Sequence, residues 1–134
     1  MMSKQKAMEE KMKSDLKEIT INGVEYVAKN SVSELAEKKD NMPYVILRGN
    51  ASGVFAGYLK ERNGNEAILI NSRRIWYWSG AATLSQLAME GTKNPDSCRF
   101  PCEVGKHEIP DVIEVLHCTE EARKSIQGVK VWEN

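Results

Sequence analysis

The stretch "GVFAGYLKERNGNEAILINSRRIWYW", residues 53–78, decides the fold. Two runs of β-branched and aromatic residues flank Asn63-Gly64, a pair that favours the positive backbone angles of a tight hairpin turn. A two-residue loop at Asn63-Gly64 pairs Arg62 with Asn65, Leu59 with Ile68, Gly57 with Ile70 and Phe55 with Ser72. Side chains alternate along a strand, so one face is expected to carry Phe55, Leu59, Ile68 and Ile70 and to continue into Arg74, Trp76 and Trp78. The other carries Val54, Ala56, Tyr58, Leu69, Arg73, Ile75 and Tyr77. A bulge beyond Asn71 would exchange the last of these assignments.

Working outward, "YVILRG" (residues 44–49) reads as a short buried strand. Downstream, "SGAATLSQLAMEG" (79–91) changes period. Thr83 and Gln86 fit a capping box, Leu84, Leu87 and Ala88 share a helical face, and Gly91 suits the left-handed stop. "TKNPDSCRFPCEVGKHEIP" (92–110) reads as a long turn-rich connection. "DVIEVLHC" (111–118) is a further strand, Thr119 caps a helix "EEARKSIQ" ended by Gly128, and "VKVWEN" adds an edge strand anchored by Trp132. The expected fold class is α+β: an antiparallel sheet of four or more strands built on the long hairpin, with short helices packed on it.

Upstream, Met8, Met12 and Leu16 recur every four residues in "MMSKQKAMEEKMKSDLKE" (1–18), which predicts a helical arm with a thin apolar stripe. "ITINGVEYV" (19–27) predicts a hairpin about Asn22-Gly23. Ser31 with Glu34 fits the cap of a short helix in "SVSELAEKKD". The chain is thus expected to divide into an N-terminal helix and hairpin extension, 1–40, and a compact α+β domain, 41–134, with charged "EKKDNMP" at the boundary.

Lys plus Arg and Asp plus Glu both number 19 in 134 residues, so the net charge is zero. Such a balance argues against a clamp for extended nucleic acid. No apolar run approaches the roughly twenty residues of a membrane helix. The N-terminus is charged, so no secretory signal is expected there. Three cysteines are read as reduced thiols, and the expected location is the cytoplasm.

No G-x-S-x-G, P-loop or G-x-G-x-x-G is present. The loop "GNASG" (49–53) offers backbone N–H groups suited to an anion, although a plain strand connection is favoured. Cys98, Cys102 and His107 would supply three soft ligands to zinc, while His117 and Cys118 are strand neighbours that face opposite ways. Ordinary reduced cysteines are favoured over that site, and neither cofactor nor metal is expected. Asp96, Glu103, Glu108, Asp111 and Glu114 follow no recognised metal-site spacing, so a metal-dependent enzyme is the weaker alternative and a non-enzymatic protein the expectation. Arginine provides a planar donor fork for phosphate, and aromatic faces stack on bases. The candidate ligand site is therefore Arg48, Arg73, Arg74, Trp76, Tyr77, Trp78 and Arg99, weighed against plain core packing of the tryptophans under the helix from Thr83.

The strings "VFAGYL", "RRIWYWSGAATLSQLAMEG", "CRFPCEV" and "VIEV" together resemble a small domain family of uncharacterised function seen mainly in bacteriophage and prophage genomes. The resemblance runs from Pro43 to about Trp132 and brings no catalytic residues. It implies a phage-encoded protein made in the cytoplasm of a bacterial host. Small non-virion phage proteins are often host-takeover or counter-defence factors, and some sequester nucleotide immune signals as homo-oligomers. The expected function is therefore a phage-encoded binding protein and homo-oligomer that sequesters a nucleotide-type small ligand. The alternative is a protein-interaction or virion accessory module that docks a host or phage protein.

Overall fold

Tyr44–Gly49, strand β3, is buried on both faces, and the two cores of the domain meet on it. The computed structural model describes residues 34–134, together with the backbone of two short strands, Leu16–Thr20 (β1) and Gly23–Val24 (β2). β1 and β2 pair antiparallel, with Thr20 opposite Gly23. Gly23 therefore lies in a strand rather than in the turn, and Leu16 opens a strand rather than closing a helix. The rest of the expected N-terminal helix, and Ser31, lie outside the described residues.

The chain divides into compact units at Met1–Ser33 and Glu34–Asn134. In the second unit, β3 is followed by β4 (Val54–Asn63), β5 (Glu66–Arg74), α1 (Leu84–Glu90), a 3-10 turn (Pro95–Ser97), β6 (Val104–Ile109), β7 (Val112–His117) and α2 (Glu120–Gly128). The strands form one antiparallel sheet in the order β6-β5-β4-β3-β7. β6 and β7 stand at opposite edges, yet two residues, Pro110 and Asp111, join them. The sheet must therefore curl until its edges approach at that corner, where the Val112 N–H donates to Asn65 O at 2.8 Å.

Val45, Leu47, Phe55, Leu69, Ile109 and Val112 fill the inside of the curl. On the other face, Tyr44, Ile46, Ala56, Tyr58 and Ile75 pack with Leu87, Phe100, Ala122 and Ile126. This is the expected α+β arrangement of sheet and short helices. β6 was expected to be loop. Its sequence, "VGKHEI", sets three polar residues in a row and holds a glycine, so it has no strand signal until β5 is there to pair with it.

The hairpin forms at the expected place with a shifted register. Asn63 pairs with Glu66, so the loop is Gly64-Asn65 rather than Asn63-Gly64. Lys60 is then an extra residue on β4, and Asn71, at φ 53, bulges β5 opposite Gly57. A Cβ on Gly57 would sit 2.9 Å from Ser72 Cα, so the bulge requires glycine there. The bulge reverses side-chain alternation. Leu69 and Arg74 share the face of Phe55, while Ile70, Arg73 and Ile75 share that of Ala56 and Tyr58. β5 ends at Arg74 and does not run on to Trp78.

Both helices start where their threonine caps dictate and α1 stops at Gly91, whereas Gly128 is the last residue of α2 and Val129 follows it as the cap. Thr83 Oγ1 accepts the Gln86 N–H, and Gly91, at φ 75, donates its N–H to Leu87 O. Gln86 Oε1 accepts the Ala82 N–H, one residue before the cap, and Nε2 donates to Glu90. Thr119, fully buried, accepts the Ala122 N–H at 3.0 Å and donates its hydroxyl to Met89 O at 2.8 Å. Its own N–H donates to Ala88 O, so this one residue ties the start of α2 to the end of α1. Glu34–Lys38 is not helical. Ala36 N–H donates to Cys118 O and Glu120 N–H to Glu34 O, which lays the segment alongside the β7–α2 junction. No helix among the described residues is long and apolar enough to cross a membrane.

Arg73 is the one charged side chain in the core of the described unit. Its Nε donates to Pro101 O at 3.1 Å, Nη2 to Phe100 O at 2.8 Å, and Nη1 to both Ile126 O at 2.9 Å and Val129 O at 2.7 Å. α2 has no basic residue in its last turn, and Arg73 supplies that charge from the sheet. Burial pushes its pKa down, with Tyr44 and Glu103 opposing. Arg73→Met keeps the aliphatic stem and removes the charged donor from four carbonyls, of which Phe100 O keeps the Trp132 N–H and Ile126 O the Val129 N–H. It is expected to cost about 3–5 kcal/mol, read as a lower urea midpoint at unchanged slope.

Candidate functional site

Beyond Arg74 the chain leaves the sheet, and short bridges hold it. Arg99 N–H donates to Tyr77 O at 2.8 Å and Trp132 N–H donates to Phe100 O at 3.0 Å. Tyr77 is thereby bridged antiparallel to Arg99, and Val131 parallel to Phe100. Alternation then decides the sides: Phe100 turns fully into the core, and Arg99 turns out. Three segments far apart in sequence place Trp76, Tyr77, Arg99 and Trp132 on one exposed surface.

Trp76 and Trp132 stack, with ring centroids 5.0 Å apart and planes 23° from parallel. The Arg99 guanidinium carbon lies 5.6 Å from the Trp76 ring, 5.7 Å from Trp132 and 5.8 Å from Tyr77. Trp76 is 55% exposed, Tyr77 50% and Trp132 42%. Large aromatic rings this open are unusual on a soluble domain and mark recognition surfaces. Among the described residues, Arg99 has no carboxylate partner. Beside Trp132 lies a cleft of about 520 Å³, lined by Pro95, Asp96, Cys98, Lys130 and the C-terminal residues.

Of the residues expected to bind ligand, the structure gathers Trp76, Tyr77 and Arg99. Arg73 is corrected to a core residue, since every nitrogen of its fork is used within the fold. Arg74 donates to Ser52 O at 2.7 Å and covers the Phe55 ring at 4.5 Å on the opposite face of the sheet. Arg48 pairs with Glu114 across β3 and β7, Nε to Oε1 3.1 Å. Trp78 turns back onto the helix-side core and donates Nε1–H to Ala81 O. Trp132 was expected as a strand anchor, not as part of a site. Its signal was a tryptophan out of phase with the Val129–Val131 alternation, and so on the opposite side of the tail from the buried Val129.

The zinc set is dispersed. Cys98 Sγ accepts the Ser79 N–H and lies near Thr92 Oγ1 and Asn94 O, Cys102 is exposed, and His107 bonds Ser72 Oγ at 2.9 Å beside Phe55. Burial lowers the His107 pKa, with Arg74 adding to the effect, and burial pushes the Cys118 thiol up to about 12. Among the described residues, no three His, Cys, Asp or Glu side chains cluster closely enough to hold a metal.

The "GNASG" loop does bind an anion, an internal one. Asp111 accepts the Ala51 N–H at 2.7 Å, the Ser52 N–H at 2.9 Å and the Ser52 hydroxyl at 2.6 Å. The Ser52 hydroxyl, followed by the Ala51 amide, holds the Asp111 pKa below the ordinary carboxylate range. A depressed folded pKa stabilises the fold above the unfolded value and loses that contribution as pH falls through the folded one. Stability of the native chain should therefore fall on acidification below about pH 4. Asp111→Asn should flatten that limb in urea titrations at stepped pH, since the amide neither ionises nor accepts all three donors equally.

A family model, described as a domain of unknown function (DUF6948), matches residues 42–126. No curated protein and no solved structure matches the chain.

Proposed function

The chain belongs to the DUF6948 family, and we propose that it is a non-enzymatic binding protein whose Trp76–Tyr77–Arg99–Trp132 surface takes a small nucleotide-type ligand. The observation that carries this reading is a guanidinium held among three exposed rings with no carboxylate to neutralise it among the described residues. Arginine stays protonated at neutral pH and cannot act as a base, so the chemistry on offer is recognition. A flat base finds an outer face of the stacked tryptophan pair, and its phosphate finds the fork of Arg99. The cleft beside Trp132 sets Lys130 against Asp96 and Glu133, so the phosphate is expected on Arg99 rather than in the cleft.

One stacked base is worth about 1–3 kcal/mol. One charge-assisted hydrogen bond is worth about 1.5–3 kcal/mol. Together they come to about 2.5–6 kcal/mol, so a mononucleotide should bind with a dissociation constant on the order of 1 mM, and a ligand with two bases more tightly. In the phage setting that the sequence resemblance implies, such a protein would lower the free concentration of a nucleotide signal in the host cytoplasm, and this is the counter-defence role we propose for it.

Tryptophan fluorescence titrated with adenosine monophosphate, adenosine and ribose 5-phosphate separates the two contributions. Arg99→Ala should weaken the monophosphate to the level of the nucleoside, and Trp132→Ala should abolish the response to the base, with unfolding midpoints near wild type. An unchanged emission spectrum at ~10 mM monophosphate would falsify the reading. The same exposed Trp, Tyr and Arg side chains are those that dominate protein interfaces, which gives a second reading as a docking module. Capture of a host or phage protein that is lost with Trp132→Ala, without any nucleotide response, would favour it.

A further inference from the structure

β6 ends the sheet with one side unpaired: Val104–Ile109 bonds β5, and among the described residues no strand lies along its other edge. Its outward face carries Lys106 and Glu108, two residues apart, and neither has an ion-pair partner among the described residues. An antiparallel strand of the same sequence, related by a twofold axis at His107, sets Lys106 of each copy opposite Glu108 of the other. Opposite charges facing across strands attract, and the symmetry makes the attraction twice. Beside this edge is a cleft of about 370 Å³ into which Glu61, Glu66 and Glu108 bring three carboxylates and no cation.

We propose that β6 is a homodimer interface, pairing edge to edge about His107 and joining two five-stranded sheets into one of ten strands. The opposite edge does not suit a copy of itself. β7 carries no lysine or arginine, and its Glu114 is already paired with Arg48 of the same chain. A lysine on an edge strand is also a common guard against unwanted pairing. A glutamate on the same face removes that protection toward a second copy while keeping it toward a strand of different pattern.

Sedimentation equilibrium on the full chain tests this. Wild type should dimerise reversibly in the micromolar range and more weakly at high salt. Lys106→Glu and Glu108→Lys each set like charges face to face, and each should raise the dissociation constant at least about tenfold. Both side chains are exposed, so circular dichroism spectra should stay as in wild type, and thermal midpoints should match those of wild type diluted to monomer. The double charge swap restores the complementary pairs and should restore the dimer. A wild type that stays monomeric at about 0.5 mM overturns the proposal and makes Lys106 an edge guard. A dimer indifferent to the single reversals, or a double swap that stays monomeric, overturns it as well.

Discussion

The guanidinium of Arg73 enters the boundary between sheet and helices and is met by four main-chain carbonyls rather than by a carboxylate. Carbonyls satisfy the donors without neutralising the charge, so the geometry of all four contacts has to hold together. Those contacts join β5 to the Phe100-Pro101 segment, to the end of α2 and to Val129. Once Phe100 is held against the core, Arg99 must face outward, and Val131 and Trp132 are brought alongside. The exposed patch is thus a consequence of a buried ion that does not itself touch it.

The bulge at Asn71 decides which arginine of the pair enters the core. Without it, Arg74 would share the face of Ile70 and Arg73 would turn away. With one extra residue the parity reverses, and Arg73 goes under the helices while Arg74 folds over Phe55 and binds the loop at Ser52. Two adjacent and chemically identical side chains receive different tasks from one residue of backbone. The loop that Arg74 contacts is filled from its other side by Asp111, so both ends of that loop are already occupied by the protein.

Much of the fold was legible because its signals are local. Thr83, Gly91 and Thr119 bound their helices as their chemistry requires, and the hydrophobic run of Tyr44–Leu47 became the doubly buried strand. Asn63-Gly64 announced the hairpin, while its loop moved by one residue and the extra residue Lys60 exchanged the faces of Leu69 and Ile70. The site was legible in part. Trp76, Tyr77 and Arg99 stood out by type, but Arg73 stood out equally and proved to be core. Trp132 was passed over, because nothing in "VKVWEN" says which ring it will meet.

Composition, caps and periodicity by themselves determined an α+β domain with an antiparallel sheet, two capped helices and no net charge. They could do so because helix caps and strand alternation depend on residues within a few positions of one another. Tertiary structure alone decided that β6 is a strand, that "SVSELAEKKD" from Glu34 onward runs extended beside α2, and that Trp76 stacks on Trp132 across 56 positions of chain. Each of these depends on a partner distant in sequence. An edge strand forms only when its neighbour offers hydrogen bonds, and two rings stack only where the backbone of a third segment holds them together.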